Sequence, residues 1–252
     1  MKIDLQGKVV LITGGSRGIG ASCVKYFAEA GAEIAFTFRD NFEAAQKLIS
    51  SIDPLVKVKF YQVDLESEME ICNCVDSVLM DFGKIDILVN NAGIWKYGAI
   101  ESMTLDQWSE TININLTSAF LFTKLVLPEM RKSNYGRVIN ISSTAGQRGE
   151  AFHSHYAASK GGIISFTKSL ASEIRMQNIT VNCVAPGWVD TDMSAEELRE
   201  EGAQEKMREY IPLGRAATPD EIAGPVLFLA SSLADHVHGE ILNVNGGSVL
   251  CG

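Results

Sequence analysis

Short apolar runs rich in β-forming residues recur along the chain, separated by segments with the periodicity of amphipathic helices. The seven runs cover residues 9–13, 33–38, 56–63, 85–90, 136–141, 180–184 and 240–244. Strands that alternate with helices in this way are typical of βαβ units. The pattern therefore predicts an α/β fold: a doubly wound Rossmann-type parallel sheet of about seven strands, with helices on both faces.

No linker rich in Pro, Gly or Ser interrupts the alternation, so residues 1–252 are predicted to form a single domain. Segment 194–210 departs from this alternation of strands and helices because it is long, acidic and rich in helix-forming residues. One interpretation is a single solvated surface helix. The other is a substrate lid over residues 192–213, because the segment leaves the end of a strand where ligands bind in such sheets.

The composition narrows the possible functions. Hydrophobic residues make up 46% of the chain and charged residues 21%, a balance that supports a folded core. The formal charge of −9 disfavours nucleic acid and anionic membranes as partners. The charged start and the lack of a long apolar run predict a cytoplasmic protein with no signal peptide or membrane span. The five scattered cysteines are expected to be reduced.

A glycine-rich turn, Thr-Gly-Gly-Ser-Arg-Gly-Ile-Gly over residues 13–20, follows the first predicted strand and opens a helix. Its glycines, Gly14, Gly18 and Gly20, would let the main chain approach a pyrophosphate at the helix N-terminus. The spacing differs from the common dinucleotide fingerprint. The position of the turn at a strand-to-helix junction nevertheless favours dinucleotide binding.

Tyr156 and Lys160 are four residues apart, so on a helix both would project from one face. A nearby ammonium group favours the phenolate, and we expect Lys160 to lower the pKa of Tyr156 from its usual value near 10. The fifth predicted strand ends at Ser142 and Ser143, at the same edge of the sheet. A serine there would hold a substrate carbonyl while the tyrosine supplies a proton.

These motifs make the chain resemble the short-chain dehydrogenase/reductase family, and the resemblance extends over essentially its whole length. The family patterns T-G-x-x-x-G-x-G, N-N-A-G and Y-x-x-x-K match residues 13–20, 90–93 and 156–160. The family's serine lies thirteen residues before its tyrosine, which selects Ser143. The resemblance implies hydride transfer between a nicotinamide and a carbonyl carbon, with Tyr156 as general acid and Lys160 lowering its pKa. It further implies that Ser143 orients the carbonyl and that Asn115 supports a proton relay.

The resemblance also implies a set of cofactor-binding residues. Asp64 corresponds to an adenine contact, Lys160 to the nicotinamide ribose contact, and the stretch from Pro186 to Thr191 to the part that holds the nicotinamide carboxamide. The whole set is Gly14, Ser16, Arg17, Gly18, Ile19, Gly20, Arg39, Asp64, Asn91, Ala92, Gly93, Tyr156, Lys160, Pro186, Gly187, Val189 and Thr191.

The end of the second strand distinguishes the two nicotinamide cofactors. An acidic residue there would accept hydrogen bonds from the adenosine ribose, whereas Phe38 cannot. Arg39 and Arg17 are placed to bind a 2′-phosphate, which favours NADP(H). NAD(H) remains the alternative, because Asp40 would be the ribose acid if the strand ran further.

Aromatic residues after the fourth and sixth strands are candidates for a substrate pocket, in particular Trp95, Trp188 and the nearby His153. His153 and His155 alone make a poor metal site, and no metal is expected.

The tail of the chain, over residues 212–216, 220–223, 239–240 and 244–247, resembles the 3-oxoacyl-(acyl carrier protein) reductase branch of the family. That branch shares its pattern with sugar, polyol and small-ketone dehydrogenases. Basic residues that help to dock an acidic carrier in that branch correspond to the uncharged Asn134 and Gln177, which disfavours docking of acyl carrier protein. The alternative is that the nearby Arg131, Lys132 and Arg175 substitute for them. Predicted apolar helices over residues 105–130 and 156–174, with the resemblance, suggest a homotetramer. A regulator that senses the dinucleotide without turnover is a further alternative, which the intact set of four residues disfavours.

Overall fold

A parallel sheet of seven strands runs through the middle of the computed structural model, which describes residues 3–251. The strands are β1 Val9–Ile12, β2 Glu33–Phe38, β3 Val58–Gln62, β4 Ile87–Asn90, β5 Gly136–Ile141, β6 Ile179–Pro186 and β7 Ile241–Val244. They lie in the order β3-β2-β1-β4-β5-β6-β7, and each neighbouring pair is parallel. The predicted doubly wound sheet is confirmed.

Helices cover both faces of this sheet. They are α1 Gly18–Glu29, α2 Phe42–Ser50, α3 Glu68–Phe82, α4 Leu105–Ile112, α5 Ser118–Ser133, α6 Thr144–Arg148, α7 Ser154–Glu173, α8 Ala195–Arg199, α9 Ala203–Tyr210 and α10 Pro219–Ala230. One apolar layer packs α1, α2 and α10 on one face, and a second packs α3, α5 and α7 on the other. Strands β1, β4 and β5 are accordingly buried along their whole length. Within residues 3–251, no helix combines the length and apolar character needed to cross a membrane.

Most strand ends lie within two residues of their predicted positions, and β2 and β5 have the predicted bounds. Strand β6 is longer than predicted because it is paired on both sides. Ile179 lies opposite Gly136 of β5, and Pro186 lies opposite Val244 of β7. A central strand is extended by its neighbours beyond what its own side chains indicate.

The helix predicted over residues 105–130 is interrupted. A π-helical turn, Asn113–Thr117, separates α4 from α5, and α5 continues to Ser133, where Asn134 adopts a left-handed conformation with φ of 49°. A π turn adds one residue to the helix and changes the direction of the side chains around it. Here the turn contains Asn115.

Segment 194–210 forms two short helices, α8 and α9, instead of the single helix that the sequence predicted. The first helix ends at Arg199, and Gly202, with φ of 77°, is the N-cap of the second helix in a conformation that favours glycine. The glutamates Glu196, Glu200 and Glu205 are exposed, in agreement with a solvated surface.

The carboxyl ends of β1 and β4 define a crevice. The two strands are neighbours, but the chain continues from β1 to β2 on one side and from β4 to β5 on the other. Such a reversal leaves space between the loops that follow the strands, and ligands of doubly wound sheets bind there. The motif residues that follow β1, β4, β5 and β6 therefore meet at one edge.

Candidate active site

The glycine-rich turn after β1 brings the main chain close to the N-terminus of α1. Gly14 and Gly18 have φ of 66° and 54°, which few other residues adopt. A Cβ at Gly20 would collide with the carbonyl oxygen of Gly14, and a Cβ at Gly14 would lie 3.0 Å from the Cα of Ala92. The first turn of α1 contains no acidic residue. This cradle of main chain at a helix N-terminus fits the pyrophosphate of a dinucleotide.

Thr13 and Asn91 join the loop after β1 to the loop after β4. The Thr13 hydroxyl accepts hydrogen bonds from the N–H groups of Asn91 and Ala92, both at 3.0 Å. The Asn91 side-chain amide donates to the carbonyl oxygens of Thr13 and Gly14 at 2.9 and 3.1 Å. Asn91 therefore braces the glycine-rich turn from the neighbouring strand.

Asn115 clamps the loop after β4 from the other side. Its Oδ1 accepts the N–H of Ile94 at 2.8 Å, and its Nδ2 donates to the Ile94 carbonyl at 2.9 Å and to the Ser159 hydroxyl at 3.1 Å. The side chain is buried behind the lining of the cleft. Its observed contacts position the loop next to Lys160.

The two serines after β5 have different surroundings. The Ser142 hydroxyl donates to the Lys160 carbonyl at 2.7 Å and thereby ties β5 to α7. Ser143 is the N-cap of α6, where its Oγ accepts the N–H of Ala145 at 3.1 Å. Ser143 also lines the cleft together with Tyr156.

Tyr156 and Lys160 lie one turn apart on α7, with the Lys160 Nζ 5.8 Å from the centre of the Tyr156 ring. Lys160 is only 5% exposed, and its Nζ donates to the Ile141 carbonyl at 2.8 Å. A Cβ at Gly93 would lie 3.4 Å from this Nζ. The ammonium group is therefore held between the ends of β4 and β5.

Burial controls the ionisation of this pair. It raises the pKa of Tyr156 to about 12; the Ser143 hydroxyl opposes this shift and the Glu150 carboxylate adds to it. Burial also lowers the pKa of Lys160 to about 8. The predicted tyrosine pKa below 10 is wrong for this arrangement, because desolvation of the phenolate outweighs any stabilisation by Lys160.

A cleft of about 440 Å³ connects the glycine-rich turn to Tyr156. Three of the sequence-predicted site residues lie outside its lining: Asn115 behind it, Asp64 in a neighbouring polar cavity, and His153 behind Trp95. The predicted residues that line it are Gly14, Ser16, Arg17, Gly18, Ile19, Gly20, Arg39, Asn91, Ala92, Gly93, Trp95, Ser143, Tyr156, Lys160, Pro186, Gly187, Trp188, Val189 and Thr191.

At one end of the cleft, β2 ends at Phe38 as predicted, and Arg39 and Asp40 follow it in the cleft wall. The Arg39 Nε donates to the Asp40 carboxylate at 2.7 Å. Asp40 is thus placed beside the end of the strand, not on it, and its carboxylate is engaged by the arginine.

At the other end, aromatic side chains form a wall beside Tyr156. The Trp95 and Trp188 rings meet edge to face at 5.8 Å, and the His153 ring stacks on Trp95 at 4.4 Å. The Trp95 indole donates to the Glu150 carboxylate at 3.3 Å. Glu150 and Arg148 also line the cleft, and the sequence did not reveal them because no motif covers the end of α6 or the loop that follows it. The only available signal was their position shortly after Ser143.

Comparisons with known proteins agree with this geometry. A family model described as enoyl-(acyl carrier protein) reductase matches residues 14–248. The 3-oxoacyl-(acyl-carrier-protein) reductase FabG of Chlamydia pneumoniae is 42% identical over 248 residues, which are 98% of this chain and 99% of that protein. The acetoacetyl-CoA reductase of Shinella zoogloeoides is 40% identical over 240 residues, 95% of this chain and 98% of that protein.

Among solved structures, a short-chain dehydrogenase/reductase of Brucella melitensis described as a glucose/ribitol dehydrogenase superposes with a TM-score of 0.93. It is 31% identical, and the match covers 100% of both chains. The matched region therefore includes every strand, helix and loop that contributes residues to the cleft.

The burial of Lys160 predicts a pH dependence of stability. Its pKa is about 8 in the folded protein and about 10.4 in an unfolded chain. Between these values the unfolded state binds more protons, so the free energy of unfolding should rise with pH. We expect the difference in unfolding free energy between wild type and Lys160→Met to shift in favour of wild type from about pH 8 to pH 10. Urea denaturation of both proteins at several pH values measures this difference in unfolding free energy.

Lys168→Met is the matched control, because Lys168 lies on the same helix and is exposed. The difference in unfolding free energy between Lys168→Met and wild type should stay nearly constant from about pH 8 to pH 10. An equally constant difference for Lys160→Met would contradict the lowered pKa.

Proposed function

The chain belongs to the short-chain dehydrogenase/reductase family and is a nicotinamide-dinucleotide-dependent oxidoreductase, and we propose that it reduces the ketone of a compact β-keto thioester with NADPH. The observation that carries the proposal is the convergence of Ser143, Tyr156 and Lys160 at one end of a cleft whose other end is the glycine-rich turn. The names of the relatives from Chlamydia and Shinella support a 3-oxoacyl substrate.

When bound, the nicotinamide would supply or accept the hydride. The glycine-rich turn, Asn91 and the stretch from Pro186 to Thr191 would hold the cofactor. In the direction of reduction, the Tyr156 hydroxyl gives its proton to the carbonyl oxygen, which becomes the alcohol. The Ser143 hydroxyl donates a hydrogen bond to the same oxygen and orients it.

Lys160 stabilises the phenolate that Tyr156 becomes after it has lost its proton. The ammonium can do so because it is buried beside the ring and held by the Ile141 carbonyl. Asn115 keeps the loop after β4 in place next to this ammonium. We assign Asn115 a positioning role in the proton relay, which agrees with its contacts.

The segment over residues 192–213 is proposed to act as a lid. Asp192, Met193 and Ser194 at its start line the cleft, and the two short helices of the segment continue from there. A segment that begins in the cleft wall and continues over the surface can change its position when substrate binds.

A second candidate function is oxidation of a sugar or polyol. Trp95 and Glu150 support it, because an aromatic face next to a carboxylate suits a hydroxylated ring or chain. The glucose/ribitol dehydrogenase of Brucella is similar over its full length. The thioester is favoured over it because the reductases from Chlamydia pneumoniae and Shinella, at 42% and 40% identity, are more similar to this chain than the Brucella protein at 31%.

We further propose a homotetramer. Leu105 and Trp108 of α4 and Phe120 of α5 are exposed on the outer face of these helices. A second copy would cover this apolar surface, and closed symmetry is the usual arrangement for such contacts. Light scattering should give about four times the chain mass of 27.4 kDa, whereas a mass near 27.4 kDa would overturn the proposal.

Replacement of the proposed general acid tests the mechanism. Tyr156→Phe removes the proton to be transferred but little of the cleft surface, so kcat should fall on the order of 10²-fold or more. Cofactor affinity, measured by quenching of NADPH fluorescence, should change only slightly. Tyr97→Phe is the control, since Tyr97 is exposed and outside the lining. Turnover of Tyr156→Phe within a few-fold of wild type would reject the role of Tyr156.

The cofactor preference should depend on Arg17 and Arg39. Hydrogen bonds from a guanidinium to a phosphate contribute about 1.5–3 kcal/mol each, so kcat/KM should favour NADPH at least about tenfold. Arg39→Ala and Arg17→Ala should each reduce this ratio, and Arg131→Ala, on the last turn of α5, should leave it unchanged. A wild-type preference for NADH, or an unchanged ratio in Arg39→Ala, would contradict the proposal.

A comparison of two forms of the thioester substrate tests whether acyl carrier protein docks on this surface. Asn134 and Gln177 are uncharged, and the nearby Lys132 is paired with Glu129 at 2.6 Å. An acidic carrier therefore finds little positive charge there, and we expect acetoacetyl groups on carrier protein and on a pantetheine mimic to have similar kcat/KM values. A large advantage of the carrier that disappears with salt would show that Arg131 or Arg175 supplies the docking site. Turnover of polyols but of neither thioester would favour the second function.

A further inference from the structure

Both guanidinium groups that are proposed to bind the 2′-phosphate of NADPH are next to carboxylates of the protein. The Arg39 Nε lies 2.7 Å from the Asp40 Oδ2, and an Arg17 Nη lies 3.7 Å from the Asp192 Oδ2. Arg17, Arg39, Asp40 and Asp192 all line the main cleft. A phosphate that binds these arginines must therefore compete with two aspartates.

The surroundings of Arg39 add further negative charge. A polar cavity of about 530 Å³ beside the main cleft is lined by Arg39, Asp40, Gln62, Asp64, Glu66 and Glu70. Arg39 is the single cation in this lining, against four carboxylates. The Asp40 carboxylate accepts the hydrogen bond from Arg39 and raises the pKa of the guanidinium group. Carboxylates that line the same cavity also repel a phosphate dianion bound to Arg39.

The end of β2 offers no compensating interaction for a cofactor without the phosphate. Phe38 has no polar group to accept a ribose hydroxyl, and the Asp40 carboxylate is held by Arg39. The choice between the cofactors thus depends on the balance between the two arginines and the two aspartates that pair with them.

We propose that Asp40 and Asp192 are specificity-determining residues that compete with the 2′-phosphate for Arg39 and Arg17 and so reduce the preference for NADPH over NADH. This inference rests on the proposed function, in which the arginines bind the phosphate. Asp192 is also the first residue of the proposed lid over residues 192–213. A phosphate bound to Arg17 would therefore release the contact between the glycine-rich turn and the start of that segment.

Binding of two nucleotides that lack the nicotinamide tests the proposal without turnover. Isothermal titration of 2′,5′-ADP and of 5′-ADP is performed with wild type, Asp40→Asn, Asp192→Asn and the double variant. Exposed ion pairs are weak, so each single variant should bind 2′,5′-ADP about two- to fivefold more tightly, with little change for 5′-ADP. The affinity of the double variant for 2′,5′-ADP should increase more than that of either single variant. All these increases in affinity should become smaller at high salt.

Glu43→Gln is the matched control. Glu43 is an exposed carboxylate in the first turn of α2, lines neither cavity, and forms no ion pair among residues 3–251. The control changes the net charge by the same amount, so an equal gain in this variant would show a general charge effect and overturn the proposal. Asp40, Asp192 and Glu43 are all exposed, and thermal unfolding checks that each variant is folded.

Arg39→Ala separates failure of this inference from failure of the proposed function. If Arg39→Ala leaves the affinity for 2′,5′-ADP unchanged, the arginine does not bind the phosphate and the proposed NADPH preference is wrong. If Arg39→Ala weakens binding but Asp40→Asn and Asp192→Asn bind as wild type does, the proposed function stands and the competition is refuted.

Discussion

The four hydrogen bonds between Asn91 or Ala92 and the stretch from Thr13 to Gly14 are the interaction on which the cleft depends. They fix the glycine-rich turn to the loop after β4, whose Ile94 is clamped in turn by Asn115. Asn115 donates to Ser159, and Ser159 donates to the Tyr156 carbonyl. A continuous set of bonds thus links the proposed pyrophosphate site to the proposed proton donor, so a shift at one end would disturb the other.

Lys160 imposes the second constraint. A buried ammonium group is unfavourable unless it is paired, and here its neighbour is the neutral Ile141 carbonyl at the end of β5. Its lowered pKa is the consequence. The same low-polarity surroundings raise the pKa of Tyr156, so both shifts favour the uncharged forms of the two groups. Perturbation of this kind is common where proton transfer takes place.

The sequence predicts the sheet well because the strands are continuous apolar runs, and β2 and β5 end where the run ends. It also predicts the residues that line the cleft, since glycine turns and strand ends leave local patterns. It fails where structure depends on distant contacts or on backbone detail. The π turn around Asn115 has no periodic signal, and Gly202 divides a segment of high helix propensity. The tyrosine pKa was mispredicted because spacing shows a neighbouring charge but not the extent of desolvation.

The division between scaffold and loops explains why the reaction is easier to predict than the substrate. The end of β5 and helix α7 fix the positions of the proposed catalytic residues Ser143, Tyr156 and Lys160. Reduction of a ketone and oxidation of an alcohol are the two directions of one reaction, so the same residues would serve both. The residues proposed to face the rest of the substrate, Trp95 and Trp188, come from the loops after β4 and β6. The hydrogen bond between Trp95 and Glu150 holds this wall together, because it joins the loop after β4 to the loop before α7. The proposed substrate wall therefore depends on a contact between loops that are distant in the chain, which a local sequence pattern does not reveal.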